Sequence, residues 1–210
     1  MLTRPPVLLH SLFPGCEWQY PTAERILYLT FDDGPIPEET PWVLDQLANY
    51  QAKTTFFCVG DNVQRYPEIA QRAVAEGHRL ANHTHHHLNA WAHPRTAYLH
   101  DVAQCQQTLT ELGLLKAETR PLLRPPYGRL TWPLLRHLRP QYRLIMWSVL
   151  TQDYDQSLSA ERCLRQSIAA TRPGDIVVFH DSQKASRNLR YVLPRYLAHF
   201  AEQGFTFASL

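Results

Sequence analysis

Two carboxylates stand side by side at Asp32 and Asp33, and five of the eleven histidines crowd into residues 78–87: His78, His83, His85, His86 and His87. Carboxylate and imidazole together are ligands for zinc-like ions, and one Asp plus two His leaves coordination positions open for water and substrate. If residues 83–87 turn helically, His83 and His87 share a face at i,i+4, a spacing that suits one metal ion. His85 then points elsewhere, and His86 is the ambiguous member. If the strand before them persists, Asp32 and Asp33 face opposite sides and take different roles. Plainer readings exist: Asp33-Gly34-Pro35 is common turn chemistry, and a histidine tract can be a polar loop.

Other polar residues recur where apolar runs stop. Arg124 follows Leu122-Leu123 and precedes Pro125, Pro126, Tyr127 and Gly128; Asp153-Tyr154 follows a run ending near Val149; His180-Asp181 follows Ile176–Phe179. Taken singly, His180 reads as a satisfied structural histidine and Arg124 as a surface ion pair. Together they gather at one rim, because in folds of parallel strands the ligand lies at the carboxyl ends of the strands.

The elements that must position them alternate regularly. Strand-like runs cover residues 26–31, 54–59, 78–82 (weaker), 122–123, 142–149, 175–179 and 205–210. Between them lie helical patterns: one with Thr40 as N-cap and Pro41 at N1, Pro67–Glu76 closed by Gly77, Thr96–Leu112 ending at Gly113, a short one after Thr131, Ala160–Ala170 capped by Ser159, and Asn188–Gln203 ending at Gly204. This alternation predicts an α/β fold, a parallel sheet with helices outside it. A barrel fits better than an open sheet, since no Gly-rich phosphate loop is present, although 210 residues are tight for eight full βα units.

The length predicts one domain over residues 1–210, with 1–25 as an N-terminal extension. Basic residues exceed acidic ones by 21 to 19, and 18 of the 21 are Arg. That balance has no clustered basic stripe and argues against nucleic acid. The four cysteines lack any CxxC pair, which excludes a zinc ribbon and gives no disulfide framework. No run is long enough for a transmembrane helix. Val7-Leu8-Leu9, interrupted by Pro5, Pro6 and His10, is too short for a signal-peptide core. On this reading the chain is cytoplasmic, and its oligomeric state is left open.

The motifs resemble those of the polysaccharide deacetylase (NodB-homology) family, carbohydrate esterase family 4. The resemblance runs from about Ile26 to Leu210. Thr30-Phe-Asp-Asp-Gly-Pro35 is similar to the first family motif, His83-Thr84-His85-His86-His87 to the His-(Ser/Thr)-x-x-His motif, and Arg124-Pro-Pro-Tyr127 to the third. Asp153-Tyr154 and Val178-Phe179-His180 are similar to the fourth and fifth. Tyr154 stands where Trp is usual, Val178 where Leu is usual, and Leu150 where many members carry an acid.

The resemblance implies a distorted barrel of about seven parallel strands and metal-dependent removal of N- or O-acetyl groups from sugars. It implies that Asp33, His83 and His87 hold one divalent ion, zinc first, with cobalt and nickel compatible with the same ligands. Asp32 is then the general base, oriented by Arg124, and His180 the general acid, tuned by Asp153. The backbone N–H of Tyr127 meets the oxyanion, and Thr84 braces the histidine loop. The substrate class is acetylated carbohydrate: first N-acetylglucosamine polymers such as peptidoglycan or chitin-like chains, then acetylxylan or a non-sugar amide. Such substrates point to the cell envelope. Two alternatives stand beside it: a catalytically dead carbohydrate-binding relative, against which Asp32 argues, and an unrelated barrel amidohydrolase, against which the lack of a His-x-His first-strand motif argues.

Overall fold

In the computed structural model, which describes residues 3–6 and 8–210, nine strands and eight α-helices are present among the described residues. Val7 of the short N-terminal apolar run lies outside them. The strands are β1 (Cys16–Glu17), β2 (Ile26–Asp32), β3 (Thr55–Cys58), β4 (Arg79–Asn82), β5 (Leu122–Leu123), β6 (Arg143–Ile145), β7 (Val149–Leu150), β8 (Ile176–His180) and β9 (Thr206–Phe207). The helices are α1 (Leu8–Leu12), α2 (Glu39–Ala48), α3 (Gly60–Arg65), α4 (Pro67–Ala75), α5 (Arg95–Glu111), α6 (Trp132–Leu138), α7 (Ala160–Ala170) and α8 (Ser186–Glu202).

All strand pairs are parallel, and their order is β1-β6-β5-β4-β3-β2-β8-β7, with β9 added beside β2. This is a sheet curled part-way into a barrel: eight strands lie along the path and β9 makes nine, where seven were expected. One of the two extra strands is β1, which pairs with β6 through Cys16 and Glu17; the other arises because the run expected over 142–149 is divided. Near the gap between the two ends, the Tyr20 N–H donates to the Gly174 carbonyl at 2.8 Å. Arg4 adds a tie, reaching both carboxylate oxygens of Asp175 at 2.7 and 3.0 Å.

The registers explain why the polar residues meet. Asp32 is level with His180 across β2 and β8, and Asn82 with Cys58 across β4 and β3. Strands running the same way end on the same side, so their last residues share one rim. Leu27, Leu29 and Phe31 of β2 are fully buried and pack with Val177 and Phe179 of β8 and with Leu44, Leu193 and Tyr196 from the helices. Burial of each such side chain is worth about 1.5–3 kcal/mol, which makes the central strands a rigid base for the rim.

Two local expectations are corrected. Helix α2 starts at Glu39 with Glu38 at the cap position, not at Thr40. The Thr40 hydroxyl is buried and donates instead to Asp181 at 2.6 Å. The single strand expected over 142–149 is divided into β6 and β7. The physical reason is Arg124, which takes the carbonyls of Ile145 and Met146 at 3.4 and 3.0 Å. Ser159 and Thr131 cap their helices as expected, accepting from the N–H groups of Arg162 and Leu134.

Candidate active site

The rim surrounds a pocket of about 330 Å³ whose walls include Asp32, Asp33, His83, His87, Tyr127 and His180. Asp33, His83 and His87 each offer one ligand atom, and these atoms all lie within 4.8 Å of one another. The pairwise distances are 3.3 Å from His87 Nε2 to Asp33 Oδ1 and 3.9 Å from His83 Nε2 to the same oxygen.

The histidine pair is not assembled by a helical turn. Residues 83–89 form no helix, and both Thr84 (φ +64°) and His87 (φ +55°) are left-handed. The loop folds back so that the two imidazole centroids stand 5.0 Å apart. Its bracing is visible in hydrogen bonds: the Thr84 hydroxyl accepts from Leu88 N–H at 3.2 Å, and Asn82 Oδ1 accepts from Thr84 N–H at 2.8 Å. His85 is buried away from the triad, with its Nδ1 against Gly60.

The two aspartates do not face opposite sides. The strand ends at Asp32, and Asp33 adopts φ +86°. That reversal turns the second carboxylate back toward the same pocket, and both come within 3.9 Å of His83 Nε2. Their environments still differ. Asp32 is 4% exposed and held by Arg124 Nη1 at 2.6 Å through Oδ1, leaving Oδ2 toward the pocket. Burial pushes the Asp32 pKa up, but the charge of Arg124, with His83 and His180, more than offsets this and holds the carboxyl below its ordinary value.

Arg124 is no surface residue. It is fully buried, donates also to Thr30 Oγ1 at 2.8 Å, and lies 4.0 Å over the Phe57 ring. Its own backbone carbonyl accepts from His83 Nδ1 at 2.8 Å. A carbonyl only accepts, so Nδ1 carries the hydrogen and Nε2 presents its lone pair to the pocket. Burial lowers the His83 pKa to about 4, which keeps that lone pair free at neutral pH.

His180 sits across the pocket. Its Nδ1 is 2.8 Å from Asp153 Oδ1, and its backbone N–H donates to Asp153 Oδ2 at 2.8 Å. Burial would lower the His180 pKa; the Asp153 charge and hydrogen bond, helped by Asp33 and Asp32, raise it to about 9. Tyr154 packs edge-on against the imidazole at 4.8 Å. Tyr127, at φ +61°, lies on the wall nearest His87, with ring centroids 4.6 Å apart. Gly128 beside it is also left-handed, and a Cβ there would strike the Trp147 ring.

Two supporting residues carry no role in the sequence reading. Asp181 accepts from Gly34 N–H at 3.1 Å as well as from Thr40, and so anchors the turn that carries Asp33. A Cβ on Gly34 would collide with the Asp181 carboxylate. Asp101 of α5 accepts the backbone N–H groups of His85 and His86, each at 2.9 Å, and pairs with His86 Nδ1 at 2.5 Å. A signal existed in its position: it is a carboxylate on the helix face that buries Tyr98, Val102 and Cys105.

The donor set fits a divalent ion: one carboxylate and two imidazoles converge, with at least one imidazole lone pair aimed inward. A partly closed parallel (β/α) barrel with an Asp-His-His cluster at its carboxyl rim defines the class: a barrel protein with a candidate metal centre. The family model for polysaccharide deacetylase matches residues 19–139, and the chain belongs to that family. It is 31% identical to a peptidoglycan-N-acetylglucosamine deacetylase of Bacillus cereus over 92% of this chain and 90% of that one. It is 37% identical to a chitooligosaccharide deacetylase of Bradyrhizobium sp. over 75% of this chain and 71% of that one. Among solved structures, the Bc1960 peptidoglycan N-acetylglucosamine deacetylase superposes with a TM-score of 0.86 at 27% identity, covering 98% of this chain and 94% of that one. No helix among the described residues is long and apolar enough to cross a membrane.

Proposed function

We propose that this protein is a metal-dependent hydrolase that removes the acetyl group from N-acetylglucosamine units of a glycan, with cell-envelope polymers as the setting. The observation that carries the reading is the convergence on one pocket of three differently tuned sets: Asp33-His83-His87, Asp32 with Arg124, and His180 with Asp153.

Asp33, His83 and His87 would hold the ion, zinc being the first choice for this ligand set. When bound, the ion supplies Lewis-acid polarisation of the acetamide carbonyl and acidifies a water. The chain's own residues account for the proton movements. Asp32, kept ionised by Arg124, accepts through its pocket-facing oxygen a proton from the attacking water. The water oxygen bonds to the carbonyl carbon, and the backbone N–H of Tyr127 donates to the developing oxyanion. The C–N bond then breaks. His180, with Nδ1 committed to Asp153, gives its Nε2 proton to the departing sugar amine, and acetate is the second product. Held near pKa 9, the imidazolium is charged at neutral pH and ready to donate.

The test is acetate release from a panel of acetylated glycans (N-acetylglucosamine oligomers, peptidoglycan fragments, acetylxylan) by metal-stripped protein with and without added zinc. Zinc-dependent release from the N-acetylated members supports the reading. Release from acetylxylan alone, or from none, contradicts it.

A further inference from the structure

Arg124 and Arg143 each pair with a carboxylate. Arg129 lines the active-site pocket yet, among the described residues, forms no such pair. Its guanidinium lies 4.8 Å from the Trp91 ring centroid and 5.5 Å from that of Tyr127. Both rings are large and open to solvent, Trp91 at 62% and Tyr127 at 54% exposure. Neither is loose: the Trp91 indole N–H donates to the Leu130 carbonyl at 3.2 Å, and Tyr127 rests on His87. Aromatic faces position a guanidinium and strip part of its water without neutralising it, so its planar fork of donors stays available. Across the pocket Lys184, held 5.3 Å from the Tyr154 ring centroid, adds a second positive charge. The charge pattern is therefore acidic at the floor, where Asp32 and Asp33 lie, and basic at the walls.

A neutral sugar gives a cradled, unpaired guanidinium nothing to neutralise. A carboxylate does, and the guanidinium fork matches its two oxygens. The pocket has room for little more than one acetylated sugar ring, so an anion reaching Arg129 belongs to the neighbouring ring. We propose that Arg129 is a specificity-determining residue that binds a carboxylate on the sugar next to the one deacetylated. The preferred glycan then alternates N-acetylglucosamine with a carboxylate-bearing sugar, in contrast to a neutral homopolymer. This rests on the deacetylase reading above.

The experiment compares three tetrasaccharides: the alternating glycan with free carboxylates, its methyl ester, and neutral N-acetylglucosamine tetramer. The expected result is about a tenfold preference in kcat/KM for acid over ester, carried mainly by KM and shrinking with added salt. In Arg129→Gln the ratio should fall to about one, and Arg129→Lys should restore part of it, since a lysine supplies charge without the fork. A wild-type ratio near one, or a ratio that survives Arg129→Gln, overturns the proposal. Acetate release from the neutral tetramer upholds the deacetylase reading independently. If none of the three releases acetate, that reading fails. Calorimetric Kd values for acid and ester then decide the anion site, with equal affinities refuting it.

Discussion

Arg124 Nη1 lies 2.6 Å from Asp32 Oδ1, both groups are buried, and the same arginine holds the His83 imidazole through its backbone carbonyl. One residue thereby orients the candidate base and a candidate metal ligand. Removing it leaves Asp32 an unpaired buried charge, which costs roughly 3–5 kcal/mol. Arg124→Met should therefore lower Tm by roughly 10 °C in a chain of this size. Restoring neutrality with Asp32→Asn in the same chain should recover part of that loss. Calorimetry checks both, and an Arg124→Met Tm within a degree or two of wild type contradicts the assignment.

In the proposed mechanism His180, as the proton donor, sets the alkaline side of the pH profile. Its proton must be present for donation, so kcat/KM should fall as pH rises through about 9. Its folded pKa lies above the ordinary 6.5, so the Asp153 partnership also adds stability that is full below pH 6.5 and lost as pH rises through about 9. In Asp153→Asn burial is no longer opposed by the nearest charge. The falling limb should move to lower pH by at least about one unit, about 1.4 kcal/mol, with metal content unchanged. A limb that stays in place removes Asp153 as the tuning group.

The proposed ligands of the histidine loop can be told from its bracing residues. His83→Ala and His87→Ala should each abolish stoichiometric metal binding, whereas His85→Ala should bind metal and lose stability, being buried outside the triad. Asp101→Ala removes the acceptor of two backbone N–H groups in that loop. Metal affinity should drop about 10–100-fold while zinc in excess restores turnover. Elemental analysis and zinc titration read these outcomes, and equal metal loss in His85→Ala and His83→Ala contradicts the ligand assignment.

Much of this site was legible in the sequence, because parallel strands end on one side and their polar last residues could be read directly from Asp32, Asn82, Arg124 and His180. What stayed hidden depended on backbone reversals. An i,i+4 rule brought His83 and His87 together for the wrong reason, since left-handed Thr84 and His87 do the work of the supposed helical turn. Strand alternation likewise separated Asp32 from Asp33, where a φ of +86° turns them to one pocket. The break between β6 and β7 was hidden because its cause, Arg124, comes from another strand end and takes carbonyls that a continuous strand would have used. Asp101 and Asp181 act through backbone N–H groups, and no spacing rule reports such partners.

The turn that carries Asp33 should tolerate no side chain at its glycine. Gly34→Ala places a methyl against the buried Asp181 carboxylate and should displace Asp33, lowering metal occupancy and turnover together. Asp181→Ala in the same chain opens space for the methyl, and partial recovery of metal occupancy in the double variant checks that the clash is the cause.

The proposed mechanism divides the labour between adjacent aspartates, Asp33 holding metal and Asp32 moving the proton. Metal content and turnover measured together on Asp32→Asn and Asp33→Ala test it most directly. Asp32→Asn should retain a full equivalent of zinc and lose nearly all acetate release, while Asp33→Ala should lose the metal itself. An Asp32→Asn protein that emerges metal-free, or an Asp33→Ala protein that keeps its zinc, contradicts the account.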